Sequence, residues 1–327
     1  MSIVRLLVVG DVHIADSAPG KRTATYKEDI LEKLYECVEL VTTENITHVL
    51  FLGDIFHLKY ASRVSHRLVQ NIADIFAAMK VPVYVLVGNH DITDGNLNSL
   101  EKQPLGTLEY LPNVTLLRWA CKEIAEDIVL YPIPGVNGVT LDHYQVRGNA
   151  KRKIIVAHQS IVPDITKEHA VVQEVVVDAK AIAKASDANI VLYGHQHRYD
   201  GLYGFEIEGK RTTFSNLGAI CRLTVVDEDL TKEPKVLVLE FADDENRTVA
   251  YKEIPLIRVK SVDEAYSLED YLETKENKRD IEETIERLKQ YSVSSFSVDG
   301  VITDIERRRD IEEDVRKVSL ELLEMVR

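Results

Sequence analysis

The stretch VLFLGDIFHLKY, residues 49–60, runs an apolar segment into a glycine, an aspartate and, three residues later, a histidine. An apolar run of this length bounded by glycine reads as a buried strand, and 48–53 is assigned as one. An aspartate at the end of a buried strand is unfavourable unless its charge meets a partner. Other strand ends supply candidates. VRLLVVG (4–10) runs into Gly10-Asp11-Val12-His13, and VPVYVLVG (81–88) into Gly88-Asn89-His90-Asp91. Strands expected at 153–157 and 189–193 run into Ala157-His158-Gln159 and Gly194-His195-Gln196-His197. Of the ten histidines, six sit in these five clusters, too many for chance placement in loops.

The segments between the first strands carry helical periodicity. Ile30, Leu34, Val38 and Val41 predict a helix over 26–41, and Val64, Leu68, Ile72, Ile75 and Met79 one over 63–79. Strands alternating with helices predict right-handed crossovers and a parallel sheet whose strand ends line one edge. Ligands of α/β sheets bind at such an edge. Further strands are expected at 114–118 and 127–131. From 202 to 241 the pattern turns antiparallel, with a turn at Glu208-Gly209 and a strand at 235–241. Past Pro255 the chain becomes rich in Glu, Lys and Arg. Ile281, Ile285 and Leu288 share a helical face, and Thr303 and Glu306 fit a capping box. Ile311, Val315, Val318, Leu322 and Met325 then form two heptads, which either fold back on their own domain or dock on a partner helix. The expected division is 1–254, 255–300 and 301–327.

With 327 residues and 45% apolar composition, the chain can bury a large core. No run of about 18 apolar residues predicts a membrane span, and the first residues lack a signal-peptide cleavage pattern. Cys37, Cys121 and Cys221 are far apart and read as isolated core thiols of a reducing, cytoplasmic compartment. The net charge of −14 argues against nucleic-acid binding through bulk surface charge. Metal cations at a site would reverse the field locally.

The residue types at the strand ends suit such cations. Carboxylate, imidazole and amide-oxygen donors without thiolates fit manganese, iron or zinc, not a cysteine-held structural zinc. Asp11 and His13 offer two ligands from one strand end, as do His195 and His197. Asp54 has two oxygens and can bridge two ions. Asn89 ligates without cancelling metal charge. Two divalent ions about 3.5–4 Å apart can activate water and clamp a phosphate.

The five blocks GDVH, GD, GNHD, AHQ and GHQH resemble the signature of the calcineurin-like metallophosphoesterases, over roughly residues 1–225. The resemblance implies an α/β fold of four layers, α/β/β/α, with a small C-terminal cap and a helical tail. It implies two divalent ions, manganese foremost, with magnesium, iron or zinc as alternatives. One would be held by Asp11, His13, Asp54 and His197, the other by Asp54, Asn89, His158 and His195. His90 would lie beside the scissile phosphate, with Asp91 orienting it.

Within that superfamily, GDIFH and GNHD differ from the GDxVDRG and GNHE of the phosphoprotein phosphatases and resemble the SbcD-type DNA repair nucleases. That likeness implies a nuclease cutting DNA, with His57 facing the substrate, Arg198 as a further contact, and an SbcC-type ABC ATPase as partner. It also implies a homodimer paired through helices such as 63–79 and 97–111. SNLGAICRLTVVDED (215–229) and YKEIPLIRVKSVDEA (251–265) resemble the block after the last metal ligands and the entry to the cap. Two departures stand out: little length for a large cap, and LKYASR in place of the usual proline after the histidine. A small-molecule or nucleotide phosphodiesterase with the same two metals is the alternative reading. His48, His66, His143 and His169 are expected at exposed or hydrogen-bonded surface positions.

Overall fold

VRLLVV forms strand β1 (Val4–Val9), and it is apolar throughout because both faces are covered. Leu7 and Val9 pack toward helices, whereas Leu6 and Val8 pack toward a second sheet. The computed structural model describes residues 3–163, 176–242, 248–267 and residue 305. After β1 come α1 (Tyr26–Thr43), β2 (His48–Phe51), α2 (His66–Ala78), β3 (Val83–Leu86), the one-turn α3 (Pro104–Thr107) and β4 (Val114–Leu117). Then follow β5 (Lys122–Ala125), β6 (Ile128–Ile133), β7 (Arg152–His158), the short pair β8 (Ile161–Val162) and β9 (Val177–Asp178), and α4 (Ala179–Ala185). Next are β10 (Ile190–Gly194), β11 (Gly201–Ile207), β12 (Lys210–Asn216), α5 (Asp227–Thr231), β13 (Lys235–Phe241), β14 (Val249–Pro255) and α6 (Val262–Ala265).

Two six-stranded sheets result, ordered β14-β13-β1-β2-β3-β4 and β11-β12-β10-β7-β6-β5. They face each other through Leu50, Leu86 and Leu237 of the first and Leu130, Val156 and Leu192 of the second. Helices α1 and α2 cover the outer face of the first sheet, burying Ile30, Leu34, Leu68 and Ile72. Helix α4 covers the second through Ile182. Each fully buried Leu or Ile contributes roughly 1.5–3 kcal/mol of hydrophobic stabilisation. The layers are α/β/β/α, as expected.

The parallel sheet expected from the first strands is part of one of the two layers of strands. Parallel pairing holds across β1 to β4, but β13 inserts antiparallel beside β1, with Arg5 opposite Glu240 and their side chains 2.6 Å apart. Strands β5 and β14 had no counterpart in the sequence reading. Both are edge strands whose outward positions are polar (KEIA, VAYKEIP), so no apolar run marks them. Strand β14 takes up the start of the segment expected to lead into a cap, and the chain then returns to α1, where the amides of Ile257 and Arg258 donate to Glu36. The expected helix 97–111 is broken into short turns around Pro104, which has no N–H to continue a helix. Helix α2 begins at residue 66, where the Ser65 hydroxyl accepts the Leu68 N–H at 3.1 Å.

The stripe from Val64 to Met79 is buried in this chain's own core. Cys37 and Cys221 are buried free thiols, but Cys121 is exposed on the turn before β5, contrary to expectation. His143 closes a capping box with Thr140, and His48 stacks on Tyr84. The chain divides into compact units Met1–Ser267 and Leu268–Arg327. The helical expectations at 281–288 and 311–325, the capping pair Thr303 and Glu306, the boundary at 300 and His169 lie outside the described residues. Among the described residues no helix is long and apolar enough to cross a membrane.

Candidate metal centre

The C-terminal ends of β1, β2 and β3 in one sheet and of β7 and β10 in the other meet at one rim. There the five clusters come together. His158 reaches across the sheets, its Nδ1 2.8 Å from the Leu52 carbonyl and its Nε2 3.2 Å from Asp54 Oδ2. His13 Nε2 stands 3.4 Å from the same Asp54 oxygen and 2.8 Å from His197 Nε2. Asn89 Oδ1 is 3.0 Å from both His158 Nε2 and His195 Nδ1. Asp11 Oδ2 accepts the His195 N–H at 2.9 Å, and Asp54 Oδ1 accepts the His90 N–H at 2.8 Å.

Local backbone geometry makes this convergence work. His13, Asp54 and His195 have φ of 53°, 48° and 82°, in the left-handed region. Such residues cost of order 1–3 kcal/mol each and cluster where function fixes the backbone. The His13 N–H donates to the Asp54 carbonyl at 2.8 Å and the Ile14 N–H to the Ile55 carbonyl at 2.9 Å, so the two strand ends travel as one unit. Two glycines give the carboxylates room. A Cβ at Gly88 would collide with Asp54 Oδ1, and one at Gly194 with Asp11 Oδ1. The sequence reading saw these glycines only as strand terminators.

The donor arrangement fits cations. His158 Nδ1 faces a carbonyl oxygen and so carries a proton. Its Nε2 lone pair then confronts two acceptor oxygens unless it too is protonated. His13 and His197 turn two basic nitrogens on each other. Asp11 Oδ1 is buried without a hydrogen-bond partner. Crowding acceptors in a buried space is unfavourable unless positive charge lies among them. Asp11, His13, Asp54 and His197 bring ligand atoms within 4.8 Å of one another, suiting one ion. Asn89, His158 and His195, with the shared Asp54, form a second donor group beside them. Oxygen and imidazole donors suit zinc, manganese or iron.

The electrostatics of the bare site agree. Burial opposes charge on Asp54, yet the His158 ring, in Coulomb contact and hydrogen bond, and His13 hold its carboxyl well below the usual range. Burial disfavours the charged His158 ring, but Asp54 and Asp11 win and raise it to about 10. Burial raises Asp11, His158 pulls it back, and Asp54 pushes it up again, to about 7. Burial keeps His13 neutral against the pull of Asp54, and burial with the Lys232 charge lowers His197 to about 4.

His57 and His90 stand beside this group. Their rings stack with centroids 5.6 Å apart, and His13 lies 4.9 Å from His90 and 5.5 Å from His57. Burial and then the His90 ring lower His57 below the ordinary histidine range. Asp91 does not meet the His90 ring as expected. Its carboxylate accepts the N–H groups of Gly88, Ile55 and Phe56, bracing the ends of β2 and β3. The His90 ring is oriented by the His57 main-chain carbonyl, 2.6 Å from Nδ1. Arg198 is turned to Asp200 at 3.0 Å, on the rim beyond His197.

Sequence reading missed Lys232. Its nearly buried ammonium donates to the His197 carbonyl at 2.9 Å and pairs with Asp229 at 3.0 Å. No local motif marks its place at the site, because the His197 carbonyl that it meets is far from it in the sequence. Tyr26 is similar, its hydroxyl donating to the His13 carbonyl at 2.7 Å.

Two stacked sheets with acid, imidazole and amide ligands at their common rim define a phosphoester-hydrolysing metalloenzyme architecture. The calcineurin-like phosphoesterase profile matches residues 4–199, well over half the chain. The chain belongs to the calcineurin-like phosphoesterase family and is a hydrolase acting on phosphoesters. It is 22% identical over 205 residues to the DNA double-strand break repair protein Mre11 of Thermoplasma acidophilum, covering 58% of this chain and 51% of that protein. The chain thus spans about half the length of that relative. A dimetal phosphatase from Danio rerio has a similar fold, with a TM-score of 0.53 at 12% identity over 80% of this chain and 98% of that one. At that identity the likeness concerns the fold alone.

Proposed function

We propose that this chain is a manganese-dependent DNA nuclease, cutting backbone phosphodiesters with two metal ions. The observation that carries the reading is the placement of His57, from GDIFH, stacked on His90 beside the ligand group. The similarity to a break-repair protein supports it. Asp11, His13, Asp54 and His197 would hold one ion, and Asp54, Asn89, His158 and His195 the other. When bound, the pair supplies Lewis acidity, polarising the phosphoryl oxygens and acidifying water.

The chain's own groups do the rest. Two divalent ions outweigh the two carboxylates of the ligand set, so the centre draws a phosphodiester despite the acidic chain. With Nδ1–H fixed on the His57 carbonyl, the His90 imidazolium carries its second proton on Nε2 and gives that proton to the departing sugar oxygen, leaving the neutral ring. The His57 ring, held on the same side, contacts the DNA phosphate. Asp91 keeps the β2 and β3 ends in register. Partnership with an SbcC-type ATPase and pairing of two copies belong to the same proposal.

The test is direct. Purified protein is incubated with manganese and end-labelled single- and double-stranded DNA, with and without a candidate ATPase subunit. Metal-dependent cleavage is expected. Hydrolysis of nucleotide or aryl diesters with intact DNA under every condition would favour the small-molecule phosphodiesterase reading.

A further inference from the structure

His195 and His197 also line a cleft of 720 Å³, with Tyr199, Lys235, Thr224 and Val226 among its other walls. Pockets of about 300–1,000 Å³ hold small ligands, so a nucleotide fits. Tyr199 is 42% exposed, yet its side chain is held at three points. Its hydroxyl donates to Glu253 at 2.6 Å. The Lys235 ammonium stands 4.3 Å from the ring centroid. Gly201 lies against its phenolic edge, where a Cβ would come within 3.1 Å of the hydroxyl oxygen. Val226, another exposed apolar side chain, shares the lining.

A fixed, exposed aromatic ring is a preformed surface, with little side-chain entropy left to lose on binding. The charges of the cleft say what it would take. Arg198, Lys232 and Lys235 each face a carboxylate, Asp200, Asp229 and Glu253, at 3.0, 3.0 and 3.5 Å. Its cations are thus already neutralised within the chain. The cleft suits a flat, uncharged group better than a phosphate.

We infer that the cleft is a nucleobase subsite: with the scissile phosphate at the metal centre, the adjoining unpaired base stacks on Tyr199. This rests on the DNA-nuclease reading above and adds to it a preference for strand ends or single strands. Stacking on an aromatic ring tolerates every base, so the subsite would not read sequence.

The test uses the full chain and two oligonucleotide series. In the first, a single strand carrying 2-aminopurine beside the target phosphate is bound in calcium. Wild type is expected to quench its fluorescence, Tyr199→Trp to do the same, and Tyr199→Ala to lose the quenching. In the second, manganese-driven cleavage of an intact strand is compared with that of a strand abasic at the flanking position. Tyr199→Ala should raise KM about fivefold or more on the intact strand. On the abasic strand wild type and variant should share one KM. Equal penalties on both strands, or full quenching by Tyr199→Ala, would overturn the subsite. If wild type neither cuts nor quenches, the nuclease reading falls and takes the subsite with it. If wild type and Tyr199→Ala cut the intact strand alike, only the subsite falls.

Discussion

His90 Nδ1 lies 2.6 Å from the main-chain carbonyl oxygen of His57, so the backbone of one histidine fixes the tautomer of the other. A carbonyl only accepts, which keeps one proton on Nδ1, so the proton that the imidazolium can give is the second one, on Nε2. Replacing His90 with Ala removes the proton donor while leaving the ligand group in place. Turnover on DNA is expected to fall about 10²–10⁴-fold with metal content retained. Wild-type turnover in His90→Ala would refute the assigned role.

The same contact separates the two roles of His57. His57→Ala keeps the carbonyl and therefore the orientation of His90. It loses only the imidazole. Cleavage of DNA should fall more than hydrolysis of a small aryl phosphodiester, because only DNA extends past His90. Equal losses on both substrates would assign the His57 ring to structure.

Gly88 tests the bridging carboxylate without touching it. Its φ lies outside the left-handed region, but the new Cβ would collide with Asp54 Oδ1 and with the Asp54 backbone nitrogen. Because Asp54 is shared between both donor groups, Gly88→Ala should lose both ions together. Elemental analysis after equilibration with manganese would read this, with circular dichroism confirming the fold. Two ions per chain in Gly88→Ala would contradict a shared Asp54.

Metal loading should release protons. The bare site holds a proton on His158, raised to about 10, and one on Asp11, raised to about 7. Both must leave before these groups coordinate. Below about pH 7 both protons are displaced, and above it only that of His158. Manganese affinity should therefore fall as pH is lowered, more steeply below pH 7 than above it. Calorimetry in buffers of different ionisation enthalpy measures the count at about pH 6 and pH 8. A pH-independent affinity would show that the ligand group is not the binding site.

Arg22 tests the support beneath the site. Its guanidinium is buried between the Tyr26 and Tyr266 rings, 4.8 and 5.0 Å from their centroids, and pairs with Asp29 at 2.6 Å. Its Nε also donates to the Ala265 carbonyl at 2.9 Å. Arg22→Met leaves Asp29 with only Lys33, 3.8 Å away. A loss of about 3–5 kcal/mol is expected. That corresponds to a drop in Tm on the order of 10 °C, readable by thermal denaturation. An unchanged Tm would mean that the buried network contributes nothing net.

Much of the site was legible because its ligands sit at the ends of apolar strands, and apolar runs are a local signal. Asp11, Asp54, Asn89, His158 and His195 were marked by position alone. Lys232, Tyr26 and the Asp91 contacts were not, since what ties each to the site is a group on another segment: the His197 carbonyl, the His13 carbonyl and the amides of Ile55 and Phe56. The edge strands β5 and β14 escaped notice because edges alternate with solvent-facing polar residues.

The sequence alone determined where strands end, which donors stand there, and therefore that metal-assisted phosphoester chemistry was the business of the rim. Only the tertiary structure decided the order of the strands within each sheet, that β13 returns beside β1, and that His57 orients His90 through its backbone. Periodicity records which residues are buried, a property of neighbours along the chain. Sheet order and the direction of a single carbonyl depend on packing between segments many residues apart, which no local pattern encodes.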